Sequence, residues 1–197
     1  MAQASAVGHL ETSTGLDNRK LLMWLFLGSE CLFFGSLIAA YLLYRGKSVT
    51  GPYPGDLFDI PFTSVSSFVL LMSSVSMVLA LTAIQRGDQW GLKVWLATTA
   101  LLGVLFLSGQ AYEFTQFNRE GLSLSTNMFG TTFFVLTGFH GAHVSVGVLI
   151  LLSLLVMALR GKMTKSKSLN VELAGLYWHF VDIVWIAIFT LVYLIQP

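Results

Sequence analysis

The chain has 197 residues, 55% of them apolar, with 11 Lys plus Arg against 10 Asp plus Glu. An ordinary soluble domain has about a quarter of its residues charged, and the 11% found here excludes a disordered chain, which needs low hydrophobicity and high charge. A net charge of +1 with no basic stripe excludes a nucleic-acid module, and long apolar runs repeated down the chain leave a membrane protein with several spanning helices.

The first 18 residues are polar and carry Glu11 and Asp17. They hold no apolar signal core and no Arg-rich transit pattern, so the first span is expected to serve as a retained insertion signal. A spanning helix needs about 20 apolar residues, and five stretches meet that length. They are Lys20 to Tyr44, Phe62 to Ile84, Trp90 to Tyr112 (extending towards Phe117), Met128 to Leu159, and Leu173 to Ile195. Barrel strands are about ten residues long with alternating polarity, whereas these runs are apolar on all sides. The expectation is one all-α integral membrane bundle of five transmembrane helices over residues 1–197, with residues 1–19 as a polar cytoplasmic segment.

Orientation follows from basic residues, which favour the cytoplasmic side. With the amino terminus inside, the inner segments hold Arg19, Lys20, Arg86, Lys93, Arg160, Lys162, Lys165 and Lys167, and the outer ones only Arg45, Lys47 and Arg119. The amino terminus is therefore expected inside and the carboxyl terminus outside. Trp24, Trp90 and Tyr193 fall near span ends, where amphipathic rings prefer the interface. The segment Gly46 to Pro61, with Pro52, Pro54, Gly51 and Gly55, reads as an ordered, turn-rich outer cap. Cys31 is the one cysteine, so no disulfide forms within the chain and no Cys pair can hold a metal.

Ionisable groups at membrane depth are costly and therefore informative. Glu30 lies ten residues past Lys20, roughly 15 Å in, near the midplane. The residues alone leave it as a proton-relay carboxyl, a lipid-facing anomaly, or a structural carboxyl bonded to a neighbouring helix. His140 and His143 share a face of the fourth span. A heme or copper site is the weaker reading, because only His179 could pair with them at matching depth, and hydrogen bonding across helices is the stronger. Gly138/Ala142 and Gly141/Ser145 have the small-xxx-small spacing that lets helices approach closely. His179 and Asp182 share a face of the fifth span and read as a buried clamp or a relay pair. Glu113 has no basic partner within four residues, which leaves His140, His143 or His179 as candidates across the bundle. Ser64, Ser66, Ser67, Ser73, Ser74 and Ser76 enrich the second span and read as helix packing through small polar groups. No metal site is expected in the chain.

Four segments, in order, resemble the heme–copper oxidase subunit III family. "GSECLFFGSLIAAY", Gly28 to Tyr41, is similar to the helix carrying that family's buried glutamate, with Glu30 at the position. "TFFVLTGFHGAHVSVG", Thr132 to Gly147, resembles its Thr-Gly-Phe-His-Gly-x-His-Val signature. "YWHFVDIVWIAIF", Tyr177 to Phe189, resembles its last-helix signature, and "GQAYEF", Gly109 to Phe114, a fourth element with a Gln and an acidic residue. Longer family members have seven helices, so the likeness falls on their last five, the form usual in many bacterial oxidases. The missing pair leaves the longer members' large lipid-holding cleft without a counterpart.

The resemblance implies an accessory, non-catalytic subunit of a proton-pumping terminal oxidase of the cytochrome c oxidase type, multi-pass in a bacterial plasma (inner) membrane. The chain would hold no cofactor of its own. Hemes and copper belong to partner subunits, the catalytic subunit I and subunit II, with a small subunit IV as a further expected partner. Phospholipid is the ligand the resemblance allows. Glu30, Glu113, His140, His143, His179 and Asp182 would then support proton uptake or make buried polar contacts. The alternatives are subunit III of a quinol oxidase, the subunit-III-like protein of nitric oxide reductase and, from the buried ionisable groups, a stand-alone proton or ion transporter. Against the transporter, the sequence shows no inverted repeat or matching broken helices.

Overall fold

A computed structural model describes residues 15, 17–48, 51 and 58–195. Five long helices carry the fold: α1 (Asn18–Tyr44), α2 (Ile60–Arg86), α3 (Gln89–Arg119), α4 (Met128–Leu159) and α5 (Ser168–Ile188), the last preceded by a 3-10 turn, Lys165–Lys167, and continued by a π-helical turn, Phe189–Leu194. All five are long and apolar enough to cross a membrane, and the described residues contain no strand.

Their starts are written in the sequence as acidic or amide caps. Asp17, Asp59, Asp88 and Asn127 each accept a hydrogen bond from a backbone N–H in the first turn they precede, satisfying donors that a helix start leaves unpaired. Pro61 stands in the first turn of α2, where its missing N–H costs nothing. It therefore belongs to the helix and not to the turn-rich cap expected for Gly46 to Pro61. Most of that cap, including Pro52, Pro54 and Gly55, lies outside the described residues. Between α2 and α3 the chain reverses on Gly87, whose φ of 81° is open to glycine but not to a branched residue. The resulting two-residue connection pairs α2 and α3 as a hairpin.

α5 is the centre of the bundle and packs against α2, α4 and α1. α3 closes the far side by packing on α2 and α4. α1 is peripheral, since only Leu27, Phe34 and Tyr41 are buried on it. Their seven-residue spacing makes one narrow seam against its neighbours. The outside of the bundle is apolar: Leu22, Leu32, Val65, Phe68, Leu101, Leu149 and Ile183 are all exposed. Inside, Thr63, Ser67, Ser73, Ser76, Thr99, Gln110, Glu113, Thr137, His140 and Asp182 are buried. This distribution suits helices in lipid, where apolar burial gives little drive and close packing plus interhelical hydrogen bonds hold the helices together.

Candidate functional site

The polar groups form four sets, the second and third joined through Trp185. The first joins α1 to α4. His143 Nε2 lies 3.2 Å from Glu30 Oε2, with both side chains mostly covered. The other ring nitrogen, Nδ1, is 2.8 Å from the Phe139 carbonyl. A carbonyl only accepts, so Nδ1 carries the proton and donates it. The neutral ring then presents a bare Nε2 to Glu30. A hydrogen bond there needs one further proton, on the carboxyl or on Nε2. Phe34 packs its edge against the His143 ring, with centroids 4.9 Å apart. A groove of about 670 Å³ opens beside this pair, lined by Met23, Phe26, Phe139, Val146, Ile150 and Tyr177 together with Glu30 and His143.

The second set lies in the middle. His140 is fully buried, its Nε2 3.2 Å from the Val181 carbonyl on α5. Its ring stacks on Trp185 with centroids 4.9 Å apart, while Phe106 meets it edge-on. Its Nδ1 has no hydrogen-bond partner. Gln110 on α3 donates to the Thr137 carbonyl on α4 at 3.1 Å. The glycine opposite is Gly141, where a Cβ would come within 2.8 Å of the Gln110 amide oxygen.

The third set is a ladder of α2 serines against α5. Ser67 accepts from the Trp185 indole N–H at 2.9 Å, and Ser73 accepts from the Trp178 N–H at 2.9 Å. Ser74 meets His179 Nδ1 at 3.0 Å, while Ser76 turns to Thr99 on α3 at 2.8 Å. His179 and Asp182, read from the sequence as a buried clamp between helices or a relay pair, share a helix face, and no direct ion pair joins them among the described residues. Ser74 on α2 stands between them: it bonds to His179 Nδ1 and its hydroxyl also reaches the Asp182 carboxyl, whose buried Oδ1 has no partner.

The fourth set lies at the end of the bundle where α1 and α3 finish. Glu113 accepts from the Thr63 hydroxyl, and the Tyr193 hydroxyl reaches the same carboxyl group. The histidines proposed as its partners from the sequence are not among its contacts. Tyr193, near the end of the last span as expected, is fully buried and packs inside the bundle. The π-helical turn carries it inward, against Phe58 at 4.5 Å and Phe133 at 6.0 Å between centroids. Trp24 and Trp90 are exposed.

The small residues divide. A Cβ on Gly138 would meet nothing within 4 Å, and Ala142 is exposed beside the groove. Ser145 bonds back to the Gly141 carbonyl at 2.8 Å. The tightest approaches between helices occur at two glycines that sequence reasoning passed over. A Cβ on Gly103 or on Gly147 would come within 2.7 Å of the Trp178 ring, so that ring lies between α3 and α4 in a slot that only hydrogen atoms can line. Sequence reasoning also missed an ion pair between Lys20 on α1 and Glu172 on α5. A Trp in an apolar span with serines one helix away was the available signal for the ladder. Among the described residues, no group of three His, Cys, Asp or Glu side chains is placed to hold a metal ion.

Comparison with known proteins bears on the whole chain. The family model described as cytochrome c oxidase subunit III matches residues 3–196. Cytochrome c oxidase subunit 3 of Bacillus sp. (strain PS3) is 38% identical over 177 residues, covering 90% of this chain and 86% of that one. Cytochrome c oxidase subunit 3 of Synechocystis sp. is 42% identical over 181 residues, covering 91% and 76%. Quinol oxidase subunit 3 of Bacillus subtilis (strain 168) is 37% identical over 171 residues, covering 87% and 84%.

Proposed function

The chain belongs to the cytochrome c oxidase subunit III family, and from that membership we propose that it is the accessory, non-redox subunit of a proton-pumping terminal oxidase. It is a multi-pass protein of a bacterial inner membrane, with the amino terminus inside and the carboxyl terminus outside. Its role is to brace the catalytic subunit, to support proton delivery to it and to hold lipid. The observation that carries this reading is the way most of the buried polar groups are used. Glu30, Glu113, His140 and His179 each bond to a side chain or carbonyl on another helix of this chain, which suits a scaffold rather than a redox centre. A quinol oxidase is the second reading, supported by relatives named for that donor at similar identity.

Glu30 and His143 are the residues that support a part in proton supply. The proton they share can sit on either partner without leaving net charge at mid-depth, where an isolated charge is expensive. The groove beside them has an apolar lining and fits a lipid acyl chain. The two anonymous glycines at Trp178, the serine ladder and the Lys20–Glu172 pair serve the bracing role by fixing α1, α2, α3 and α4 around α5.

The test is isolation of the complex through a tag on this chain. The proposal expects a catalytic heme–copper subunit in the preparation, with its heme spectrum unchanged when this chain is stripped off. It also expects that preparations lacking the chain lose activity faster over repeated turnover. Full activity and an unchanged inactivation course without the chain would remove the supporting role.

A further inference from the structure

Apart from the Glu30–His143 groove, a second polar seam faces outward on α5. Leu176, His179, Ile183, Ile186 and Thr190 recur at steps of three and four and so form one stripe. Ile183 and Ile186 are 64% and 44% exposed. α5 packs against α2, α4 and α1, and on this stripe Leu176, His179 and Thr190 are half-buried while Ile183 and Ile186 stay open. His179 sits eleven residues into α5, roughly 16 Å along it, near the middle of a hydrocarbon layer about 30 Å thick. Its Nδ1 is held by Ser74 at 3.0 Å. With Nδ1 fixed, the geometry of imidazole turns Nε2 away from Ser74, and Nε2 meets no hydrogen-bond partner among the described residues. One turn along, Asp182 is 5% exposed, and its Oδ1 has no partner either.

Lipid cannot satisfy this nitrogen, because headgroups lie far from the midplane and acyl chains neither donate nor accept. The contrast with Glu30 and His143 is direct: those two groups, at similar depth, satisfy each other. We propose that the α5 stripe is a docking surface for a transmembrane helix of the catalytic oxidase subunit. That helix places a hydroxyl or carboxamide side chain against His179 Nε2, while Ile183 and Ile186 supply the apolar contacts on the same face. The proposal rests on the subunit reading above and adds to it which face binds the partner and through which atom.

The experiment uses the complex purified through a tag on this chain, with a photo-crosslinking amino acid placed in turn at Ile183, Ile186, Leu101 and Leu149. Leu101 and Leu149 are 60% and 66% exposed on α3 and α4 and act as controls. The expected result is an adduct with the catalytic subunit from Ile183 and Ile186. In parallel, His179→Leu should lower retention of this chain in the complex about tenfold, the effect of one desolvated hydrogen bond, and His179→Gln should restore most of it. An adduct from Leu101 or Leu149 with none from Ile183 and Ile186 overturns the proposal, as does an adduct between two copies of this chain or full retention of His179→Leu. Absence of any oxidase subunit from the unmodified preparation defeats the subunit reading itself, before the question of the face arises.

Discussion

Gly147→Ala should weaken the bundle through one overlap that the structure locates. The new Cβ would stand 2.7 Å from Trp178 Cζ3 and 2.8 Å from Cε3, whereas carbon pairs settle at about 3.5–4.0 Å. The ring has nowhere to retreat. Gly103 closes its other edge, where a Cβ would fall 2.7 Å from Cη2, and the indole N–H is held by Ser73 at 2.9 Å. Overpacking of this kind costs about 1–3 kcal/mol, or roughly tenfold in the unfolding equilibrium for each 1.4 kcal/mol. Trp178→Leu alone leaves a cavity and costs on the order of 3 kcal/mol. In the double variant the overlap disappears, so the pair should fall short of additivity by about 1–3 kcal/mol, within the range of contacting residues. Gly138→Ala is the control: its Cβ meets nothing within 4 Å, and alanine is the better helix former. Denaturant titration in bicelles, followed by far-ultraviolet circular dichroism, gives all four values. Strict additivity of Gly147→Ala and Trp178→Leu, or equal cost at Gly138 and Gly147, would refute the slot.

Glu30→Gln should assemble normally, because the amide N–H can donate to the bare Nε2 of His143. Successive turnovers of the purified oxidase should then lose activity faster than wild type, and an unchanged course would show that Glu30 delivers no proton. His140→Phe should change stability by less than about 1 kcal/mol, because it removes a buried nitrogen without a partner along with the bond to Val181, and such paired losses nearly cancel; a loss of several kcal/mol on the same titration would show an interaction at Nδ1. Lys20→Gln should cost no more than about 1 kcal/mol, since both partners are 31% exposed and such pairs contribute little. Hydrogen exchange should nonetheless show the first turns of α1 opening sooner, and unchanged exchange there would deny the clamp a role.

The spans were legible because apolar length is a direct requirement of the bilayer. α4 runs from Met128 to Leu159, as the apolar run alone indicates, and the caps Asp88 and Asn127 are visible in the chain. Partners across the bundle were less legible. Glu113 was assigned to histidines on chemical type, yet Thr63 reaches it because α2 and α3 form a hairpin whose register no local pattern reveals. Tyr193 stands near a span end, as its position indicated, but the π-helical turn that packs its ring inside the bundle has no marker in Phe189–Leu194. The glycine spacing Gly138/Ala142 matched a packing motif and faced open space, whereas Gly103 and Gly147, on different helices, are connected only by the Trp178 ring between them. His143 and Glu30 were both recognised as informative; their contact depends on how α1 leans on α4, which the narrow seam of Leu27, Phe34 and Tyr41 decides.

On the function proposed above, the ionisable side chains at membrane depth hold helices together and hold no redox metal. Metal analysis and optical spectroscopy of this chain, separated from its partners in mild detergent with its helices intact, test it most directly. Iron and copper should fall far below one per chain, with no Soret band, and both should remain in the catalytic fraction. Stoichiometric iron or copper retained by this chain, and lost on replacing His140 or His143, would contradict it.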